Sequence, residues 1–427
     1  MSHNRADEPL KIAIIGAGAA GLTTAYILQR GHHVTLYERE RKAGGHINTV
    51  TIPEGPDAGT AVDTGFIVFN DENYPLFNHL LKQLNVEIRY SDMSFSYYSE
   101  VTGLQYAGTG INGIFAQRCN LLNIDHWRLI RNISRFCSEA RKQLVADSLK
   151  DQTLGEFLVS GGFEGPVSDD YVLPLAGAIW SASRDDIRSF PAETLLSFFN
   201  NHGLFSLFER PRWKTIVGGS RVYVDQLLKG FDGDLEIAHP VRSIRRDCKS
   251  VQVCQADGSS RIFDRVILAV HADEALNLLE DPSADEQGSL GTWHYNESFA
   301  VLHSDQEFMP PNHRAWASWN YRRSAFAGDS EPVMVTYHMN RLQGLRTRSQ
   351  YFVSLNPEPQ IDTNRSLARI RYTHPCFTRQ AIDTQPRIEE INGDLNTYYC
   401  GSYLGCGFHE DAVRSAVAIG RKFGIEL

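Results

Sequence analysis

The sequence has no apolar run near the roughly 18 residues needed to cross a bilayer. Its longest apolar stretches, such as Val266 to Val270, are the length of buried strands, so no transmembrane segment is expected and any membrane contact would be peripheral. The seven cysteines, at 119, 137, 248, 254, 376, 400 and 406, are odd in number and form no CxxC pair. That pattern fits neither a disulfide framework nor a zinc site. With no HExxH and no clustered ligand set, a metal is not expected. Positive charge is scarce as well: 42 Lys and Arg face 51 Asp and Glu, for a net charge of −9, which disfavours a nucleic-acid partner. No serine, cysteine or lysine nucleophile sits in a recognisable nucleophile–base motif. The first eleven residues, MSHNRADEPLK, place acids beside the first apolar run, which reads as a sheet strand rather than a secretory h-region. A cytoplasmic protein is expected. At 427 residues, with 42% hydrophobic and 22% charged residues, the chain is an ordinary globular one, long enough for two domains around two cores.

The organising stretch runs from Lys11 to Asn48. Ile12 to Ile15 is a short apolar run suited to a parallel strand buried on both faces. Gly16, Gly18 and Gly21 follow at GxGxxG spacing, with Ala19 and Ala20 between them. The first glycine permits the tight turn, the second lets backbone approach a pyrophosphate, and the third lets helix pack on strand. Leu22 to Arg30 is the expected helix, whose amino end favours phosphate. His33 to Tyr37 reads as the next strand. Glu38 stands at its carboxyl end, 22 residues beyond Gly16, near the ~20-residue offset of an acid that binds ribose hydroxyls. An acid there argues for FAD or NAD and against NADP. Arg39 follows, then Gly44-Gly45-His46, a second glycine pair that suits a longer dinucleotide. Val62 to Phe66 is a strand ending in another close-approach glycine, Gly65, whose turn Asp63 could cap or hold.

With these residues in hand, the sequence resembles the flavin amine oxidase, protoporphyrinogen oxidase and phytoene desaturase superfamily of FAD enzymes. It is most similar to a bacterial subgroup of FAD-binding oxidoreductases that also resembles the amino-terminal oxidase-like region of plant cyclopropane fatty acid synthases. Gly44 to Val50, Val62 to Pro75 and Ser91 to Glu100 carry the resemblance. It implies an α/β fold: a discontinuous Rossmann-like FAD-binding domain (1–75, 207–275 and 390–427) with an inserted substrate domain of helices and a mixed β-sheet (76–206 and 276–389). Many amine oxidases have Arg after the paired glycines, where this chain has His46. They also have a lysine near the reactive flavin nitrogen, yet no lysine occurs here from Ser250 to Arg421. The resemblance further implies flavin contacts at Gly45, His46, Gly65, Phe66 and Val241, and at Gly401, Ser402, Gly407, Phe408 and His409 in the closing segment. Ser402 replaces the usual acid, and Phe408 a tyrosine placed over substrate.

Along the chain, helices are predicted at Leu76 to Leu84 and His126 to Leu149, and from Leu154 behind a Thr153/Glu156 capping box. Tyr97, Tyr98 and Trp180 are pocket candidates by the resemblance. Next come a strand at Trp213, a helix from Arg221 to Lys229, one strand from Glu236 to Arg245, a hairpin turning at Asp257-Gly258 and a strand from Val266 to Val270 that ends at His271, a loop histidine with a possible catalytic role. Strands at Ser298 to His303, Ala315 to Tyr321 and Val333 to Met339 suggest a sheet with one face for a ligand. Trp316, Trp319, Tyr337, His338, Asn340 and Gln343 are its candidate lining, with core packing the competing role for each. A closing helix is expected from Ala412 to Phe423. Phe408, His409, Glu410 and Tyr337 are the candidate catalytic side chains. The expected reaction is a two-electron transfer from substrate to flavin, with an unsaturated or methyl-branched acyl lipid as the substrate that the resemblance suggests. The alternatives are amine oxidation, a redox-neutral isomerisation, or a flavin-bound partner of an acyl methyltransferase.

Overall fold

A computed structural model describes residues 8–206, 211–325, 328, 330, 332–357, 361, 362 and 364–427. Residues 1–7 and the 207–210 junction of the predicted domains lie outside them. Five parallel strands form the sheet that carries the glycine motif, in the order Asp234–Ile237, His33–Glu38, Lys11–Ile15, Arg265–Leu268, Thr397–Tyr399. Lys11–Ile15 lies at its centre, and Ile12, Ala13 and Ile14 have no exposed surface, as expected of a strand covered on both faces. The last strand comes from the far end of the chain. Its following helix, His409–Lys422, packs beside the first helix, Ala19–Leu28, so closely that a side chain at Gly420 would sit 2.7 Å from Ile27. The two ends of the polypeptide therefore share one hydrophobic core.

A second, seven-stranded sheet has the order Ser366–Pro375, Tyr295–His303, Phe352–Leu355, Met334–His338, Trp319–Arg323, Phe95–Ser99, Gln105–Ala107. All its pairings are antiparallel except the parallel pairing of Trp319–Arg323 with Phe95–Ser99, so the sheet is mixed. Helices Ile124–Val145, Leu154–Ser160, Leu173–Trp180 and Ala192–Asn201 pack around Phe136, Phe157, Phe163 and Phe199 in a core continuous with one face of the parallel sheet, at Ala13, Ile15, Val266 and Leu268. The Thr153/Glu156 capping box and the Arg221–Lys229 helix form as the sequence predicts, and the hairpin turns at Gly258 with φ +90°.

Several elements differ from expectation. Glu236 to Arg245 is two strands in two sheets. Ala238, at φ +59°, and Pro240 break the run, and the intervening N–H groups of Ala238 and His239 bond back to Glu40 and Glu38. Ala315 belongs to a 3₁₀ turn and the strand there begins at Trp319, because Asn320 closes the preceding turn by accepting from Ala317 N–H. The strand from Val266 stops at Leu268, and the closing helix starts at His409 rather than Ala412, since Asp411 already draws the Phe408 N–H into its first turn. The helix Pro75–Gln83 and the strand Ile88–Tyr90 pack with the glycine-bearing half, the latter paired to Trp213–Ile216.

Candidate functional site

Three glycine turns lie at the carboxyl edge of the parallel sheet and are knitted in series. Gly16 adopts φ +101°, and a Cβ there would meet Ala269 O at 2.6 Å; one on Gly21 would lie 1.8 Å from Gly16 O. Those two glycines are needed for the chain to pack against itself. Gly18 differs, because nothing lies within 4 Å of where its Cβ would be. It faces open space at the start of Ala19–Leu28, a helix whose amino end receives no side-chain cap. Such an end leaves backbone N–H groups for an outside acceptor. Gly44 N–H donates to Ala17 O, and a side chain at Gly45 would touch Gly18. The Phe66 N–H donates to His46 O, and Gly65 sits so close to that carbonyl that a Cβ would fall 2.1 Å from it. The result is a continuous backbone cradle, with only Gly18 open at its centre.

Glu38 is nearly buried beside it. One carboxylate oxygen accepts from Ala17 N–H and the other from Glu40 N–H, each at 2.9 Å. Each oxygen keeps a further lone pair for a ribose hydroxyl. Arg39 turns outward to Glu274. Val241 opens the neighbouring antiparallel sheet, opposite Gln255. Asp63, fully buried, accepts from Thr49 Oγ1, Ser220 N–H and Ser220 Oγ through one oxygen and from Gln343 Nε2 through the other, while Gln343 Oε1 accepts Asp63 N–H. Burial pushes its carboxyl up to about 6. Gln343 is thus a structural partner 280 residues away. Asn340 is likewise spent on its own loop, through Thr347 and Tyr351.

The sequence reading missed a histidine cluster at the junction of the two sheets. The edge strand Ser366–Pro375 carries Tyr372 and His374 on one face, two residues apart. The His46 ring stacks on Tyr372 at 4.9 Å between centroids and meets His374 at 5.3 Å and His271 at 6.4 Å. Tyr372 OH contacts Thr64 and Asn48, and His271 stacks on Tyr295. Burial lowers His46 to about 3, helped by its two histidine neighbours, and burial lowers His374 to about 4. The His374 Nδ1 is buried without a partner. The period-two spacing of Tyr372 and His374 was the available signal; their meeting with His46, over 300 residues away, was not readable.

In the closing segment, Gly401 N–H donates to Ser415, and Ser402 O accepts from Gly405 and Gly407 N–H. Asp411 binds the Cys406 and Phe408 N–H groups, each at 2.9 Å. Phe408 stacks on Phe198 at 4.5 Å and meets Trp180 at 5.8 Å, and Trp180 donates to Cys406 O. A cavity of about 50 Å³ lies between Trp180, Phe190, His374 and Phe377, so this aromatic cage adjoins the histidine cluster. The structure turns the neighbouring residues away from it. His409 lies half-buried between Phe66 and Phe77, bonded to the Tyr223 hydroxyl, and the loss of solvent around its ring lowers it to about 3. Glu410 caps the helix Pro75–Gln83, accepting from Leu76 and Phe77 N–H at 2.9 Å each. Tyr337 is buried against Trp319, whose Nε1 has no partner, and reaches Ala178 O only at 3.5 Å. Tyr97 bonds Asp170 in the sheet core, Tyr98 lies half-buried beside it, Trp316 binds Pro310 O and His338 binds Gln350.

Comparison with known proteins agrees with this geometry. The family model described as flavin containing amine oxidoreductase matches residues 19–330. The L-amino-acid oxidase of Mus musculus is 27% identical over 59% of this chain and 40% of its own length, so the chain spans well under half of that relative. The crystal structure of the CLA-producing fatty acid isomerase from P. acnes superposes with a TM-score of 0.70 at 17% identity, covering 99% of this chain and 100% of the other. Cyclohexylamine oxidase from Brevibacterium oxydans gives 0.69 at 12% identity, over 97% and 100%. The open cradle at Gly18, the uncapped helix end and the acid at the second strand's end fit FAD. The chain belongs to the flavin containing amine oxidoreductases, a family of FAD-dependent oxidoreductases.

Proposed function

We propose that the protein is an FAD-dependent oxidoreductase that acts on an unsaturated or methyl-branched acyl chain. When bound, FAD supplies the two-electron acceptor. Gly18, Ala19, Ala20 and Gly21 would take the pyrophosphate on backbone N–H groups, with Gly16, whose own N–H bonds Tyr37 O, shaping the turn beneath it, Glu38 the ribose, and Val241 with the outer side of Arg39 the adenine end. Gly45, His46, Gly65 and Phe66 would line the middle of the dinucleotide, and Gly401, Ser402, Gly407 and Phe408 its flavin end. His409 and Glu410 act through their neighbours, as a half-buried prop and a helix cap. The residues 1–75, 207–275 and 390–427 would form the FAD domain and the remainder the substrate domain, with the first crossing better drawn after Tyr90, because Pro75–Gln83 and Ile88–Tyr90 pack on the FAD side.

The observation that carries the substrate reading is the chemistry around Phe408. Phe198 is stacked between Phe408 and His202 with Trp180 edge-on to Phe198 and Phe408, the acids that follow Phe408, Glu410 and Asp411, are engaged by four backbone N–H groups, and Asp186 at the adjoining cavity accepts from Ser183 and Asn296. A cationic amine needs a carboxylate or unencumbered aromatic cage, whereas an acyl chain needs only apolar surface and exclusion of water. Anaerobic mixing with methylated or unsaturated fatty acyl lipids is expected to bleach the flavin absorbance near its visible maximum. Unchanged absorbance with every such lipid, together with bleaching by amines, would overturn the reading in favour of amine oxidation. The full-length likeness to a fatty acid isomerase supports a second reading, a shifted double bond with no net electrons reaching an acceptor. An acyl methyltransferase partner rests on the resemblance to cyclopropane synthases, and co-purification tests it. A cytoplasmic location is supported by seven cysteines of which no two are joined. No helix among the described residues is long and apolar enough to cross a membrane.

A further inference from the structure

The largest concentration of exposed apolar side chains lies far from the FAD cradle, next to the opposite edge strand of the seven-stranded sheet. Thirteen large hydrophobic residues are exposed among the described residues, and five of them, Ile111, Leu121, Leu122, Ile124 and Trp127, fall within 17 positions. Leu122 is 95% exposed and Ile111 78%. Single exposed apolar residues are ordinary, but a contiguous cluster marks a binding surface.

The cluster is held in place. It spans the short helix Ile111–Ile114, the 3₁₀ turn Arg118–Leu121 and the start of the helix Ile124–Val145. Phe115 packs beneath it on His126 and Trp127, with centroids 5.4 and 5.0 Å away. His126 binds Ile114 O, and Trp127 Nε1 donates to Leu121 O. Arg118 bonds Phe115 O and Asn112, and Asn312 reaches across from the neighbouring turn to Ala116 O. These bonds fix the backbone of the three segments while the apolar side chains remain exposed.

Its charge is opposite to that of the rest of the molecule. Between Gln105 and Val145 there are six bases and two acids, a net +4, which leaves −13 on the remainder of a chain of net −9. Arg118, Arg128 and Arg131 are exposed beside the apolar tips, with Asp125 the only acid among them. An exposed apolar cluster with a tryptophan and flanking arginines on an otherwise acidic protein matches one partner, an anionic lipid bilayer. The apolar tips enter the acyl boundary, the arginines meet headgroup phosphates, and the acidic remainder is repelled so that the protein lands in one orientation. We propose that this surface docks the protein reversibly on an anionic membrane. The inference does not depend on which substrate the FAD site takes.

Flotation of the flavin-loaded protein with phosphatidylcholine vesicles that contain phosphatidylglycerol tests it. Binding is expected to these vesicles, to weaken with salt, and to be at least tenfold weaker to phosphatidylcholine alone. Leu122→Ser with Ile124→Ser should lower the partition coefficient about tenfold per side chain withdrawn from the interface, and Arg128→Gln with Arg131→Gln should weaken binding only to the anionic vesicles. Because these side chains are exposed, the bound-flavin spectrum should stay that of the parent protein. Binding that is absent, or indifferent to both pairs of substitutions, would overturn the proposal. So would sedimentation showing a dimer that Leu122→Ser with Ile124→Ser dissolves, since a second copy would then cover the surface.

Discussion

Replacing His46 by glutamine tests the electrostatics of the junction between the sheets. In the structure His46 is half-buried against His374, His271 and Tyr372, with Thr373 backbone and His409 also in range, and its ring is held neutral with a pKa of about 3. A histidine whose folded value lies below its ordinary 6.5 favours the unfolded state once protonation begins. Its stability contribution is whole above that ordinary value and falls as pH drops toward the folded one. Near pH 5 the gap is about 1.5 pH units, which corresponds to about 2 kcal/mol lost relative to neutral pH. His374, at about 4, and His271, also lowered by burial, add losses of the same sign, opposed at His271 by Glu274 and Asp273. Urea unfolding of the cofactor-free protein at about pH 7.5 and about pH 5 should show a difference smaller by about 2 kcal/mol in His46→Gln than in the parent. Equal pH dependence in the two proteins would refute the reasoning. If FAD phosphate lies beside His46, the anion raises its pKa and binding takes up a proton, so FAD affinity should strengthen toward acid by up to about tenfold per pH unit. His46→Gln should abolish that slope. An FAD dissociation constant that does not vary with pH in the parent protein would remove His46 from the phosphate side.

Glu410→Ala should lower stability by about 2–3 kcal/mol, read from the urea midpoint at unchanged slope, because two helix N–H groups lose a charged acceptor. Glu410→Gln should fall between it and the parent, and full stability with lost turnover would instead mark Glu410 as chemical. Burial would raise Glu286, but Arg246 at 2.5 and 2.9 Å, the Tyr399 hydroxyl and the Ser283 N–H hold it at about 2. That group stabilises the fold above its ordinary pKa and loses the effect as pH falls from there toward 2, on the order of 3 kcal/mol. Glu286→Gln should therefore flatten acid unfolding in that window while lowering stability at neutral pH, since Arg246 is left buried without its anion. Gly18→Ala should leave unfolding within about 1 kcal/mol of the parent, because at φ −79° with space around it the poorer N-cap is offset by a stiffer unfolded chain, yet weaken FAD binding at least tenfold as measured by flavin titration.

What the sequence made legible is what local chemistry enforces. Glycines forced by close contact, the run of Ile12 to Ile15, the Thr153/Glu156 box and the Asp257-Gly258 turn each depend on neighbours a few residues away, and each appears as read. Glu236 to Arg245 failed because Pro240, with Ala238 in the left-handed region, ends one sheet and begins another. Asp63 was seen to hold a turn, but Ser220 and Gln343, which satisfy it, stand 157 and 280 residues on.

The adjacent acids Glu410 and Asp411 make the limit sharpest. In sequence they stand side by side ahead of a helix expected from Ala412, with Glu410 a catalytic candidate. In the fold they face opposite ways, Glu410 to the helix at Pro75 and Asp411 back to the loop at Cys406. Helical rotation separates consecutive side chains by about 100°, so the divergence follows from geometry, but its targets do not. It matters for chemistry because both acids that follow Phe408 in the chain are withdrawn from any substrate. The apolar character of that cage is therefore a property of tertiary hydrogen bonding as much as of the residue at 408, and restoring a free carboxylate there, rather than a tyrosine at 408, is the change that would make the cage hospitable to a cation.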